Sequence, residues 1–388
     1  MFRIKTMNKI SPFGLEVFPK TRYEAGSDIS EPDAILVRSA EINPAEIPET
    51  VLAIARAGAG YNNIPVSACS SRGIAVFNTP GGNANAVKEL ALAALLLSAR
   101  NIIGGIEWCR TITDKDSEVP DLVEKGKSRF EGPELRGKTL GVVGLGAIGV
   151  MVANDASALG MNVIGYDPFI SVEAAWNLSR SVARAETLEG LLSKADYVTL
   201  HLPLSDNTKG LLNAEKIRAM KNGARIINLA RGGLVAEAAI IEALNSGKLA
   251  TYVTDFPTAG LLACPKVIAF PHLGASTPEA EDNCAIMAAQ QLIAYLESGE
   301  IKNSVNLPRC HLEKRALSRL LAINRNIPNM VGQITSILAM ENINITDLIN
   351  HHRDDYAYNI IDTEQSINEA TLERIRKIEG VIRVRTIS

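Results

Sequence analysis

Residues 138–149 read KTLGVVGLGAIG, and this stretch decides the fold. The apolar run LGVV leads straight into Gly144-Leu145-Gly146-Ala147-Ile148-Gly149 and then into a helical pattern. In that setting each glycine has a separate task. The first permits a tight turn, the second lets backbone approach a pyrophosphate, and the third allows a helix to pack closely on its strand. The start of that helix offers unpaired N–H groups and partial positive charge to phosphates. Glycine pairs are common in turns, so it is the strand before and the helix after that make this a dinucleotide signature. Asp167 closes the next apolar run, MNVIGYD (161–167), and stands 18 residues beyond Gly149. An acid there grips the adenosine ribose hydroxyls. Its charge repels the extra phosphate of NADP, and Pro168 and Phe169 bring no cation. NAD is the expected cofactor.

Working outward, the pattern stays strand–helix–strand. ADYVTLHLP (195–203), ARIINLAR (224–231), YVTDF (252–256) and KVIAFPH (266–272) read as strands, with helices at 236–248 and 278–298. Such alternation predicts a doubly wound parallel sheet. Upstream, DAILVRS (33–39), VLAIARAG (51–58) and GIAVFNTP (73–80) are short apolar runs suited to a second covered parallel sheet. A long Ala/Leu-rich helix is expected over 84–107, followed by a polar segment at 111–137. The last 74 residues, 315–388, change rhythm to β-α-β-β-α-β, the ferredoxin-like order.

A chain of 388 residues outgrows a single core, so two or three domains are expected. The net charge of −3 gives no electrostatic reason to expect nucleic acid or an anionic membrane as partner. Cys69, Cys109, Cys264, Cys284 and Cys310 are odd in number and far apart, which reads as reduced thiols in a cytoplasmic protein and as no zinc site. The first residues lack the apolar core of a signal peptide, and Leu90–Leu97 is too short to span a bilayer.

A dinucleotide alone does not name a reaction. Arg231 ends the strand IINLAR and precedes Gly232-Gly233. Ligands of open α/β sheets bind outside the carboxyl ends of strands, and a planar guanidinium there suits a carboxylate. His201 and His272 also end strands of this half, whereas His311, His351 and His352 lie in polar surroundings further on. Alcohol oxidation needs a base for the hydroxyl proton, a task for histidine near neutral pH. His272, in the loop PHLGAST, is the first choice and His201 the second.

GLGAIG with YDP, HLPLSDNTKGLLN, INLARGG and PHLGAST together resemble the D-2-hydroxyacid dehydrogenases, over essentially the whole chain. The resemblance implies a Rossmann-type doubly wound NAD domain (86–289) inserted in a flavodoxin-like substrate-binding domain (1–85, returning at 290–310). A ferredoxin-like ACT regulatory domain would follow at 315–388. It implies a homodimer or larger homo-oligomer built on the helix near residue 90. Ala147 and Ile148 would lie at the pyrophosphate and Asp167 at the ribose. Leu202, Leu229, Ala230 and Asp255 would follow the nicotinamide half, with Gly274 and Ala275 close by. Arg231 would hold the substrate carboxylate, and His272 would take the hydroxyl proton. Arg38, Arg56 and the turn residues Gly81, Gly82 and Asn83 would bind a phosphate, with Lys127 reaching in from a partner subunit.

The expected reaction is oxidation of 3-phosphoglycerate in serine biosynthesis. Another D-2-hydroxy acid, or an NAD-binding amino-acid sensor without activity, are the alternatives. Asn326 and Asn344 match positions that take serine as effector in relatives, although asparagines at such places also cap turns. One departure stands out. Relatives carry a Glu shortly after the nicotinamide Asp to orient the catalytic His, whereas this loop reads Asp255-Phe256-Pro257-Thr258-Ala259-Gly260. Glu279, Glu281 and Asp282 are the nearest candidates to replace it.

Overall fold

The structure, a computed structural model, describes residues 1–113, 118–313 and 318–387. The chain divides into two compact units, Met1–Asn83 with Pro278–Ser388, and Ala84–Thr277.

In the first unit, β1 (Phe2–Met7), β2 (Tyr23–Gly26), β3 (Ala34–Val37), β4 (Ala53–Arg56) and β5 (Ala75–Phe77) form a parallel sheet in the order β2-β1-β3-β4-β5. All four residues of β3 are buried because both faces are covered. Ala34 and Leu36 face the Pro278–Ser298 helix through Ala288, Leu292 and Leu296, and Ile35 and Val37 face Ile42, Val51 and Ile64. β1 and β2 were not among the expected strands. Arg3, Lys5 and Glu24 alternate with their apolar residues, as suits strands on and next to a sheet edge.

The second unit holds β6 (Thr139–Val143), β7 (Asn162–Tyr166), β8 (Ala183–Arg184), β9 (Tyr197–Leu200), β10 (Ala224–Asn228), β11 (Leu249–Thr254) and β12 (Val267–Ala269). Their order is β12-β11-β10-β9-β6-β7-β8, again all parallel. Chain order reverses between β6 and β9, which opens a crevice at their carboxyl ends. This is an α/β fold of Rossmann type. The single helix expected over 84–107 is two, Ala84–Ala99 and Ile102–Arg110, bent by 69°. Asn101 supplies the break: its side chain accepts from Gly104 N at 3.2 Å and starts a new helix. Among the described residues, no single helix is long and apolar enough to cross a membrane.

The chain then returns to the first unit. β13 (Ser318–Arg325), β14 (Ile345–Arg353), β15 (Tyr356–Thr363) and β16 (Val381–Ile387) form an antiparallel sheet in the order β14-β15-β13-β16. The expected start at 315 lies outside the described residues. Helices Met330–Met340 and Glu369–Arg376 cover one face, against Leu320, Ala322 and Ile361. The opposite face is covered too. Leu321, Ile323, Tyr358 and Ile360 share a core with Phe77, Leu292 and Tyr295 of the parallel-sheet region.

At that junction Arg319 and Asp362 are each 1% exposed and meet through Nε–Oδ1 at 2.6 Å and Nη2–Oδ2 at 2.8 Å. Arg319 Nη1 also donates to Ser298 O at 2.8 Å. Breaking a buried pair leaves an uncompensated charge, which costs about 3–5 kcal/mol. Asp362→Asn should therefore lower the unfolding free energy by about that much, as measured by urea denaturation of the full chain.

Candidate active site

The carboxyl edge of the seven-stranded sheet builds the site from its loops. β6 is followed by Gly144, whose φ of +93° makes the turn, and a Cβ there would strike His201 O at 2.6 Å. A Cβ at Gly149 would lie 1.9 Å from Gly144 O, so the helix Ala147–Ala158 sits directly on its strand. Gly146 has open space where a Cβ would stand, and no side chain caps the helix among the described residues. Gly146 and Ala147 are exposed, and Ile148 is half-buried. Backbone N–H groups thus remain for an anion, as a pyrophosphate requires. Asp167, at the end of β7, accepts from Leu145 N and Phe169 N, each at 2.8 Å. The carboxylate is thereby tied to the glycine turn itself. Leu202 packs against that turn, and Leu229 is buried at the end of β10.

Arg231 is presented by a turn that Asn228 controls. Asn228 is fully buried, and its Oδ1 accepts from Ala230 N (3.2 Å) and Arg231 N (3.4 Å). Its Nδ2 donates to Arg231 O (2.8 Å) and to Tyr252 Oη (3.2 Å). The sequence reading passed over Asn228. The available signal was a polar residue closing an otherwise apolar strand just before Arg231.

Asp255 does the same for the histidine loop. It is 1% exposed; Oδ2 accepts from Gly274 N at 3.1 Å, and its carbonyl accepts from His272 N at 3.1 Å. Burial raises the Asp255 pKa, with the Gly274 N–H, His272 and Arg231 pulling the other way. Its Oδ1 is buried without a partner among the described residues. A spare buried acceptor there suits an amide donor such as the carboxamide of nicotinamide. His272 takes φ of +52°, unusual for a side-chain-bearing residue, and its ring lies 4.8 Å from Phe256. Ala275 is exposed beside it. His201 differs. Desolvation pushes its imidazole down to about 4, and Nε2 pairs with Thr199 Oγ1 at 3.0 Å. So weak a base does not take up a hydroxyl proton near pH 7, and one of its ring nitrogens is already engaged by Thr199, which leaves His272 as the acid–base candidate.

The loop after Asp255, in which the sequence holds no Glu, has a carboxylate from another element beside it. A Cβ at Gly260 would meet Glu237 Oε1 at 2.5 Å. Glu237 opens the Glu237–Asn245 helix and, with Lys209, Tyr252, Phe256 and Thr258, lines a cavity of about 580 Å³ in the second unit. Of the carboxylates named as substitutes, Glu281 pairs with Arg38 and Asp282 accepts from Ser11 Oγ at 2.5 Å, all within the first unit.

The first unit gathers its own cluster. Arg38 follows β3, Arg56 ends β4, and Arg56 Nε donates to Arg38 O at 3.0 Å. The turn through Gly81, Gly82 and Asn83 is tied in by Thr79 N to Gly58 O at 3.1 Å, and Gly82 lies against Cys284 Sγ. Lys127 belongs to the second unit, exposed and paired with Glu124. Asn326 Nδ2 donates to Asp354 O at 3.3 Å, and Asn344 N donates to Gln365 Oε1 at 2.9 Å. These two asparagines sit at opposite ends of β15, so one chain does not bring them together. Among the described residues no His, Cys, Asp and Glu group could hold a metal.

A parallel sheet with this edge is a Rossmann dinucleotide-binding domain. Residues 93–274 match the D-isomer specific 2-hydroxyacid dehydrogenase NAD binding domain. D-3-phosphoglycerate dehydrogenase of Haemophilus influenzae is 34% identical over 340 residues, 84% of this chain and 79% of that protein. That of Archaeoglobus fulgidus is 37% identical over 311 residues, 76% of this chain and 56% of that protein. This chain thus spans little more than half the length of some relatives. An NAD+-bound 3-phosphoglycerate dehydrogenase from Entamoeba histolytica superposes with a TM-score of 0.61 at 29% identity, covering 79% of this chain and 98% of that one. The chain belongs to the D-isomer-specific 2-hydroxyacid dehydrogenases, and its second unit carries their NAD-binding domain.

Asn228 and Arg231 should separate in stability. Asn228→Ala strands buried partners and should cost about 1–3 kcal/mol. Arg231→Ala, at an exposed side chain, should stay within about 0.5 kcal/mol. Urea denaturation of both variants checks the contrast.

Proposed function

We propose that this chain oxidises 3-phosphoglycerate to 3-phosphohydroxypyruvate, passing hydride to NAD, as a step of serine biosynthesis in the cytoplasm. The observation that carries this reading is the placement of Arg231 and His272 on two turns fixed by buried Asn228 and Asp255, at the carboxyl edge of an NAD domain. Arg231 holds the substrate carboxylate and His272 takes the hydroxyl proton. Bound NAD supplies the hydride acceptor. Gly144, Gly146, Ala147, Ile148 and Gly149 hold the pyrophosphate, and Asp167 holds the ribose. Leu202, Leu229, Ala230, Asp255, Gly274 and Ala275 surround the nicotinamide end. Arg38, Arg56 and the turn Gly81–Asn83 take the phosphate, with Lys127 contributed by a partner subunit.

The division of labour follows the expected domains: substrate binding by 1–85 and 290–310, NAD binding by 86–289, and regulation by an ACT domain at 315–388. The βαββαβ order and antiparallel sheet of the last part support that assignment. Serine is the proposed effector. Asn326 and Asn344 lie at opposite ends of β15, so a shared ligand would need a second copy, in keeping with a homodimer or larger homo-oligomer.

The test is NADH formation with 3-phosphoglycerate, glycerate and lactate, with NADP run in parallel. Turnover of 3-phosphoglycerate with NAD is expected. No turnover of any of the three acids, or equal use of NADP, overturns the reading.

Gly260 generates a second expectation. Reduction needs protonated His272 as acid, and a neighbouring carboxylate stabilises that form. Gly260→Glu alone would drive one carboxylate against Glu237. Combined with Glu237→Gln, it should raise 3-phosphohydroxypyruvate reduction by about 10- to 100-fold and move the alkaline limb upward. Stopped-flow pH profiles of the single and double variants check this.

A further inference from the structure

The cluster assigned above to the substrate's phosphate already contains an anion of its own. Arg38 Nη2 is hydrogen-bonded to Glu281 Oε1, with the two side chains 40% and 41% exposed. Arg56 is locked beside them by its Nε bond to Arg38 O and by its guanidinium lying over Gly58, where a Cβ would be 2.1 Å from Nη1. Glu281 belongs to the Pro278–Ser298 helix, whose start is firmly seated. Asp282 is held by Ser11, Ala285 packs against Gly14, and Cys284 packs against Gly82 of the phosphate-binding turn. These contacts hold the backbone of the helix start, so the pair separates most simply by rotation of the half-exposed side chains of Glu281 and Arg38.

We propose that Glu281 determines specificity by competing with the substrate's distal group for Arg38. The inference rests on the reading of the cluster given above and refines it to the charge of the substrate that the site accepts. Glu281 offsets the charge of Arg38 within the cluster. A phosphate dianion meets Arg38 with its Nη2 already engaged by Glu281, and it must either displace that carboxylate or bind beside it against its charge. A hydroxy acid with a neutral distal group leaves the pair intact. The site therefore grades substrates by distal charge, less steeply in favour of phosphate than two unopposed arginines would. Because both partners are half-exposed, the effect is moderate and screened by salt.

Glu281→Gln keeps the size and a hydrogen-bonding oxygen but removes the charge. It should lower KM for 3-phosphoglycerate by about 3- to 10-fold, with KM for glycerate changed by less than about 2-fold. The gain should shrink as salt rises from about 0.05 to 0.5 M. Glu281→Asp, which keeps the charge, should retain the unsubstituted preference. Equal proportional changes in KM for both substrates, or a higher KM for 3-phosphoglycerate in Glu281→Gln, overturn the proposal. Calorimetry with inorganic phosphate on the full chain separates this from failure of the proposed reaction. Even if no hydroxy acid is turned over, phosphate should bind about 3- to 10-fold more tightly to Glu281→Gln. Equal phosphate affinity in the two proteins would refute the role of Glu281.

Discussion

A strand in a parallel sheet reaches its neighbour only through a crossover, so every strand delivers its carboxyl end to the same edge. In the second unit that edge carries Gly144, Asp167, His201, Arg231 and Asp255, each within a few residues of a strand end. The first unit repeats the arrangement with Arg38 after β3, Arg56 at the end of β4 and the 79–83 turn after β5. Chemistry gathers there because loops can carry polar groups that the covered strands cannot.

Loops at such an edge need something rigid behind them. Asn228 and Asp255 supply it by a shared device, a buried polar side chain spent on backbone rather than on ligand. Asn228 fixes three backbone groups of the Ala230–Arg231 turn, and Asp255 clamps His272 and Gly274. Among the described residues Asp255 keeps one oxygen unpartnered at full burial, a cost that a bound amide would relieve. The left-handed backbone of His272 belongs to the same logic. Strain at that residue persists because two hydrogen bonds, to Asp255 O and Phe270 O, hold it there.

What could be read in the sequence follows from range. The glycine turn, Asp167 and the strands β6, β7 and β9 to β12 depend on local pattern, and local pattern is what a sequence displays. β8 has two exposed residues and β1 alternates charge with apolar residues, so neither gives a sustained apolar run. The break at Asn101 was hidden by helix-favouring residues on both sides, since a cap works through one side-chain bond. Contacts between distant segments were invisible altogether. Glu237 lies 23 residues before Gly260, and Glu281 lies 243 residues after Arg38; nothing local announces either meeting. The sequence therefore named Arg38 as a phosphate ligand while missing the carboxylate that opposes it.

The terminal sheet shows how such distant contacts change the physical picture. A βαββαβ unit needs its helices to cover one sheet face, and its other face is free to remain in water. Here that second face is apolar and merges with the core beneath β5 and the Pro278–Ser298 helix. The seam is then closed by arginines satisfying backbone carbonyls: Arg319 on Ser298, Arg385 on Tyr295 and Leu296, and Arg383 on Glu49 and Val51. Tyr358 Oη adds a bond to Gly299 O at 2.8 Å. Carbonyls in the last turn of a helix have acceptor capacity to spare, so Arg319 and Arg385 both cap the Pro278–Ser298 helix and tether the sheet to it. The sheet is consequently part of the same packed body as Arg38, Arg56 and Glu281. Leu321 and Ile323 of β13 pack in one core with Leu292 and Tyr295 of the Pro278–Ser298 helix, and that helix carries the carboxylate paired with Arg38.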